Sequence, residues 1–513
     1  MLPASSVRPR PRPTRAGAAA DRSLPLAAVA VAFALAQLLF VAPGLHLGWD
    51  ETVYVSQVSP HIPAAYFSAP RARGVPVLIA PLTLLTSSTL ALRVYLAVLS
   101  GAGLFLALWM WRRLRPTPVL ALAGVLFAGL WATQLYGPQA MPNLWVALSA
   151  LAAVGCFLRA AADPADRRAL VGLGLAVAAA TLFRPADAVW LSLPMAAAGL
   201  CVRRWRRQAL FAVLAAGLVV GGAQWIVEAY LSYGGVGARL HRSSAIEGGI
   251  GWHVAVGDQL RTLAGGPELC RPCTVPWHHR TAAIWWFLTP ALALGGVLAA
   301  ARARRLATSL LPALCGLSLA IPYLLLIDYA APRFLLPAYA LLAVPVADAL
   351  AAAPMVLRPR LRPAAIALVT ALVAVQLVSQ HAILTRATRT VADGTGDYAR
   401  IAADLRTYGV RAPCLITGRL ATPVAYQARC ASGQITGHNQ NTTVAKVLAT
   451  AHREPVAVLV RPHHRAPAYA RRWPSHIPPD LRVHHGYRVY LSPQALSTPV
   501  ASSPNSSRPM TIR

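Results

Sequence analysis

LPLAAVAVAFALAQLLFVAPGLHLGWDETVYVSQ, residues 24–57, runs from an apolar segment straight into two adjacent carboxylates, Asp50 and Glu51. As a helix, residues 24–43 would rise about 30 Å, the thickness of a bilayer's hydrocarbon core. Similar runs recur near 90–111, 118–136, 141–158, 169–183, 186–202, 208–230, 281–300, 306–327, 334–353 and 364–384, which predicts about eleven spans. Composition agrees with a polytopic membrane protein. Of 513 residues 56% are hydrophobic and only 13% charged, with a mean hydropathy of +0.50. A net charge of +31 would ordinarily raise nucleic acid as a partner. Here the arginines form short clusters between apolar runs, and no aromatic-basic groove or base-reading motif occurs, so nucleic acid is set aside.

Those clusters set the expected sidedness. Arg8, Arg10, Arg12, Arg15 and Arg22 precede the first run. Arg112, Arg113 and Arg115, then Arg159, Arg167 and Arg168, then RRWRR (203–207), RARR (302–305) and RPRLRP (358–363) follow in alternate loops. With eleven alternating helices all fall on one side, which the positive-inside rule makes cytoplasmic. The expected layout is a disordered basic cytoplasmic tail over 1–22 and a transmembrane core over 23–384, with outer loops at 44–89 and 232–280. An extracytoplasmic α/β domain over 385–495 and a disordered end over 496–513 complete it. In the first loop, VPVLIAPLTLLTSS (75–88) is too short to cross and fits an interfacial or re-entrant helix. Arg184-Pro185 divides the run 169–202, predicting a tight outer turn between two short helices.

Seven cysteines separate by context. Cys156, Cys201 and Cys315 lie in apolar runs and read as small core hydrophobes. Cys270, Cys273, Cys414 and Cys430 lie in outward segments, where an even number suits an oxidising compartment. Pairs 270–273 and 414–430 are the economical choice among three pairings. CRPCTVPWHHR (270–280) also carries His278 and His279, but its spacing is not a standard zinc pattern. In the tail, DYARIAADLRTYG (397–409) and TTVAKVLATAHRE (442–454) read as helices, and APCLITG, VAVLVRP and RVHHGYRVYLS (482–492) as strands. Alternation of this kind predicts a small α/β unit. His463-His464 reads as tail surface and His484-His485 as strand, where neighbouring residues point to opposite faces, so the second pair does not easily bind one metal together.

Only seventeen residues are acidic, so the pair at 50–51 stands out. Asp21, Asp163 and Asp166 neighbour arginines and read as solvated. Glu228, near an outer helix end, reads equally as a substrate contact or a bundle-facing polar group. Asp50 and Glu51 have no basic neighbour in sequence, and Trp49 and Tyr54 flank them as aromatics do at a lipid boundary. An unpaired carboxylate beside apolar surface has its pKa pushed upward, toward that of a general base.

A long first outer loop opening on an acidic pair resembles the polytopic GT-C glycosyltransferases, closest to the family 39 protein-mannosyl and aminoarabinose transferases and their RgtA-type relatives. ALRVYLAVLSGAGLFLALWMWRRLRP (91–116), LGLAVAAATLFRPADAVW (173–190) and APRFLLPAYALLAVPVA (331–347, with Phe334 for the family's tyrosine) resemble further segments of that core. The resemblance covers roughly 24–350. It implies sugar transfer, with inversion, from a polyprenyl-phosphate carrier to an extracytoplasmic acceptor (glycan, lipid or protein). It also implies Asp50 as the base and Glu51 as the acid that orients it or the acceptor. Arg71, Arg73, Arg184 and Arg333 are the candidates for the donor phosphate, guanidinium suiting phosphate oxygens. Each has a plainer reading: Arg184 paired with Asp187, Arg333 with Asp328, Arg71 and Arg73 on lipid headgroups. No protein metal site is expected, and a divalent cation as helper is left open. The competing classes are a transporter of lipid-linked saccharides and a non-catalytic scaffold for cell-envelope partners. Repeated halves and mid-membrane charges, which a transporter would favour, are lacking in the sequence.

Overall fold

In the computed structural model the described residues are 15–497, apart from 266–267, 278–279 and 438. Arg8, Arg10, Arg12, His278, His279 and nearly all of the 496–513 end lie outside them. Helix α1 (Arg15–Phe40) leads to two short helices, α2 (Trp49–Ser56) and α3 (Gly74–Thr83). There follow α4 (Thr89–Met110), α5 (Thr117–Ala128), α6 (Trp131–Tyr136) and α7 (Pro142–Ala162). Next, α8 (Arg167–Phe183) and α9 (Pro185–Cys201) meet at Arg184, the turn expected there, and α10 (Gln208–Tyr233) packs on α8. The second loop carries α11 (Val236–Ile246) and α12 (Val256–Leu263). The helical part closes with α13 (Ile284–Arg302), α14 (Ala307–Leu325), α15 (Leu336–Val356) and α16 (Arg362–Thr407).

Every expected apolar run is helical, but only eight helices among the described residues are long and apolar enough to cross a membrane. The other three expected spans coincide with α5, α8 and α9. With 12 residues, α5 rises only about 18 Å. The run 118–136 breaks because glutamines satisfy the backbone at the bend. Gln134 donates to the Ala128 carbonyl at 2.8 Å, and the Trp131 N–H donates to Gln380 Oε1 at 3.0 Å. The protein is a multi-pass membrane protein whose centre is α7, with 89% of its apolar window inside, whereas the window of α16 has none. Close approach uses small residues: a Cβ on Gly296 of α13 would strike the Pro345 carbonyl of α15.

Two cysteine readings hold and one does not: Cys156 and Cys315 are buried, while Cys201 is exposed at the end of α9. Arg115, expected in a solvated cytoplasmic cluster, is instead buried, with Nη2 2.6 Å from Asp348 Oδ2. Its neighbour Arg113 stays outside and meets Asp166 at 3.2 Å, as does Arg159 at 2.7 Å.

Beyond the bundle lie β1 (Leu415–Gly418), α17 (Ala421–Ala428), β2 (Ala431–Gly433), α18 (Val444–Ala451) and β3 (Val456–Val460). They are followed by β4 (Ser475–His476), β5 (Arg488–Leu491) and α19 (Pro493–Ser497). The sheet order is β2-β1-β3-β5-β4, with β1 parallel to β2 and β3, and β5 antiparallel to β3 and β4. Two expectations are corrected. The stretch 397–409 is no separate helix but the end of the 46-residue α16, which spans about 70 Å and ties bundle to sheet. Residues 482–487 are not strand. They wrap the carboxylate of Asp397, which accepts the N–H groups of Arg482, Val483 and His484 at 2.8 Å each. That carboxylate fixes the sheet to the helix.

Both expected disulfides are formed, Cys270–Cys273 and Cys414–Cys430. The second brackets β1 and α17 over a separation of 16 residues. Replacing Cys414 and Cys430 together by serine should cost the sheet about 3 kcal/mol. Hydrogen exchange should show it as faster exchange in β1 and β3 with the bundle unchanged.

Candidate active site

The acidic pair is divided by a helix start. Gly48 caps α2, so Asp50 and Glu51 occupy its first turn and project differently. Glu51 turns inward and is 2% exposed. Its Oε2 accepts the Gly48 N–H at 3.0 Å and Oε1 the Ala140 N–H at 2.7 Å. The guanidinium of Arg93, from the second turn of α4, grips both its oxygens, with Nη2 at 2.8 Å from Oε2. Arg93 also donates to the carbonyls of Leu45, His46 and Pro138 at 3.3, 2.8 and 2.9 Å. One buried ion pair therefore ties the first loop, α4 and the segment before α7 together. Glu51 does not line the cavity described below, so it positions α2 and is out of an acceptor's reach.

Asp50 faces outward from the same turn, its side chain 29% exposed. Its Oδ1 lies 2.6 Å from Arg71 Nη2 and its Oδ2 2.9 Å from Arg333 Nη2. The expected unpaired carboxylate is thus paired twice, by residues 21 and 283 positions away. Burial works to raise its pKa, but the Arg71 and Arg333 guanidiniums outweigh it and hold the carboxyl below its ordinary value. Trp49 and Tyr54, read as boundary aromatics, instead form a cradle. Arg71 Cζ is 5.8 Å from the Trp49 ring centre and 4.9 Å from that of Tyr54, distances at which ring faces attract a cation. Arg333 stacks over Tyr136 and Phe334 at 5.7 and 5.4 Å. It takes Asp50 rather than the expected Asp328, and its Nη1 also donates to the Glu268 carbonyl at 3.0 Å.

These groups open onto one cavity of about 1510 Å³ between the end of the bundle and the sheet. Asp50, Arg71, Arg184 and Arg333 all line it. Arg184 does pair with Asp187, at 3.1 Å, and Asp187 accepts the Tyr323 hydroxyl at 2.5 Å, so Arg184 is held in place yet still faces the cavity. Arg73 is not brought there. Its guanidinium turns to Glu228 at 2.5 Å and Gln57 at 2.9 Å. Glu228 also meets Arg239 at 3.0 Å, which makes it a packing acid between α10 and the first loop.

The cavity contains groups that the sequence did not single out. Glu268 sits beside the Cys270–Cys273 disulfide, on a loop joined to residue 330 by the Cys270 and Ala330 backbones at 2.9 and 3.2 Å. Burial pushes its pKa up to about 7, helped by Asp50 and Glu51 and opposed by Arg333. Asn143 at the start of α7 is wholly buried, lines the cavity, and has neither amide atom hydrogen-bonded. Irregular loops such as 268–275 have no period from which to read side-chain direction. Among the described residues no three His, Cys, Asp or Glu come together as a metal-holding group.

Removing one member of a buried pair strands the other's charge. Glu51→Gln should therefore destabilise the protein by about 3–5 kcal/mol, and Glu51→Gln with Arg93→Met should recover part of that loss. Thermal unfolding of the detergent-purified variants measures both.

No protein-family model matches the chain, and no curated protein matches its sequence. Solved structures do. ArnT from Cupriavidus metallidurans bound to undecaprenyl phosphate is similar with a TM-score of 0.64 at 14% identity, over 92% of this chain and 99% of that one. Its apo state gives 0.60 at 15% identity, over 94% and 100%. The archaeal oligosaccharyltransferase AglB from Archaeoglobus fulgidus, in complex with an inhibitory peptide and a dolichol-phosphate, gives 0.51 at 13%, over 84% and 69%. At such low identity the likeness is one of architecture, and it extends along nearly the whole chain: the protein has the fold of the GT-C membrane glycosyltransferases.

Proposed function

We propose that the protein transfers a sugar from a polyprenyl-phosphate carrier to an acceptor hydroxyl at the extracytoplasmic face of a membrane, with inversion at the sugar carbon. The observation that carries this reading is Asp50 held between Arg71 and Arg333 in the wall of a large cavity at the bundle's end. Two of the similar structures hold undecaprenyl phosphate and a dolichol-phosphate, which fits a donor of that class. The clusters at Arg113 and Arg159 lie at the opposite end of their helices from Asp50, in keeping with a cytoplasmic side there.

A carboxylate between two cations is a weak base. The donor's own phosphate removes that handicap. Its negative charge shares Arg71, Arg184 and Arg333, which weakens their hold on Asp50 and raises its proton affinity when the sugar is in place. Asp50 then takes the proton of the acceptor hydroxyl as that oxygen bonds to the sugar's anomeric carbon. The bond from that carbon to the phosphate oxygen breaks, its electron pair leaving with the lipid phosphate, whose charge the guanidiniums hold. Attack from the side opposite the phosphate inverts the centre. Buried and unpaired within the protein, the Asn143 amide offers hydrogen bonds to sugar hydroxyls.

In reconstituted membranes, Asp50→Asn should lower transfer from a polyprenyl-phosphate sugar about 10²- to 10⁴-fold, the share of a general base. Unchanged transfer at normal expression would remove Asp50 from that role. Glu268 is neutral below about pH 7 and negative above it. Ionised, it repels the donor phosphate, so the KM for donor should rise as pH passes through 7, and Glu268→Gln should flatten that rise. Steady-state kinetics between pH 6 and about 8.5 on the two proteins reads this directly.

A further inference from the structure

The sheet's strand order creates a crevice. From β1 the chain crosses to β2 on one side, and from β2 it returns to β3 on the other, all three strands running parallel. The connections therefore diverge at the carboxyl ends of β1 and β3, the place where open α/β sheets bind ligands. Here those ends are Gly418 and Val460, and both line the same cavity as Asp50. Gly418 has φ +102°, and a Cβ there would strike the Leu459 carbonyl oxygen, so the floor of the crevice is bare backbone.

Arginines ring that floor. Arg419 follows β1, Arg461 follows β3, and Arg465 stands four positions further on; all three line the cavity and are exposed to it. None donates a side-chain hydrogen bond or forms an ion pair with any described residue, whereas Arg71, Arg73, Arg93, Arg184 and Arg333 each meet a carboxylate. Every acid lining the cavity (Asp50, Glu247, Glu268 and Asp328) comes from the bundle, and none from the sheet side. Arg461 repels Arg419, adding to burial in lowering its pKa. The crevice is fixed relative to Asp50, because α17, which begins just after Arg419, packs against α2.

We infer that this crevice binds the acceptor, and that the acceptor is a saccharide chain bearing phosphate or carboxylate groups. The inference rests on the transfer reading above. Unneutralised guanidiniums select an anion. Gln434, Thr436 and Asn439, which line the same side, supply the amides and hydroxyl that sugar hydroxyls pair with. At about 1510 Å³ the cavity exceeds the roughly 300–1,000 Å³ of a single small-ligand site, leaving room for donor and acceptor together. A soluble or projecting glycan fits better than a lipid headgroup, because the arginines stand on strand-end loops of the sheet and not on an apolar helix.

The test uses the full-length protein in phosphatidylcholine nanodiscs, with a fluorescent oligogalacturonate as probe and anisotropy as readout. Binding should weaken as salt rises, should be competed by inorganic pyrophosphate, and should exceed that of a neutral maltooligosaccharide. Arg419→Ala and Arg461→Ala should each weaken it about tenfold, while Arg453→Ala, exposed on the same unit but outside the cavity, should not. Equal binding of neutral and anionic chains, or indifference to both substitutions, overturns the assignment. Competition by phosphatidylglycerol nanodiscs would move the site to a lipid headgroup and overturn it too. Asp50→Asn should keep this binding while losing transfer, so the anion site and the transfer reading fail separately.

Discussion

A buried guanidinium–carboxylate pair, Arg93 with Glu51, is the constraint on which the site depends. An ion pair taken out of water is tolerated only when its remaining donors and acceptors are satisfied. Here two backbone N–H groups complete Glu51 and three carbonyls complete Arg93. Every one of those partners belongs to a connection between helices, so satisfying the pair forces 45–51, 138–140 and the start of α4 into a single arrangement. Asp50 inherits its direction from that arrangement, since the next residue in the same helical turn cannot also point inward. The pair's contribution is geometric more than stabilising.

The surroundings extend this logic outward. Arg71 is held by Ser68 at 3.2 Å and by aromatic faces, and Arg333 by the Glu268 carbonyl, so neither cation depends on Asp50 alone for its position. A phosphate entering the cavity meets guanidiniums that are already oriented, and little reorganisation is left for binding to supply. The Glu268 loop, closed by a disulfide and bridged to Ala330, holds the Arg333 side of the clamp, while α17 on α2 holds the sheet over it.

Much of this was legible in the chain. A bilayer imposes the same length on every crossing, so apolar runs announced the helices, and Arg184-Pro185 announced the α8–α9 turn. Asp50 stands out by local chemistry, its role and the candidates Arg71, Arg184 and Arg333 follow from the family resemblance, and all four line one cavity. What stayed hidden was direction. Arg71 and Arg73 are two positions apart in an irregular loop, and only the fold shows that one faces Asp50 and the other Glu228. The Asp50–Arg333 pair spans 283 positions, and no local pattern encodes a contact so distant. The break at residue 129 was missed because Gln380, from α16, satisfies the bend. The expected rise in the Asp50 pKa failed for a related reason, since the sequence shows apolar neighbours but not the cations folded against them.

That failure bears on chemistry. A base with a raised pKa in the empty protein would take up a proton on part of the molecules near neutral pH, leaving only a fraction ionised. A carboxylate held ionised by two arginines cannot do so. Under the proposed transfer it becomes basic only when another anion competes for the same arginines, and the proposed anion is the phosphate leaving group itself. On the reading proposed above, the pairing that makes Asp50 look inert would work as a condition, tying proton abstraction to the presence of donor. In the proposed reaction, an acceptor alcohol or water entering an empty cavity would meet a carboxylate whose basicity Arg71 and Arg333 lower. With the proposed donor seated, the same alcohol would meet a stronger base and an anomeric carbon whose leaving group is already charge-stabilised. Coupling of this kind requires both arginines to be shared between Asp50 and phosphate, and a clamp that touches both carboxylate oxygens from opposite sides provides that sharing.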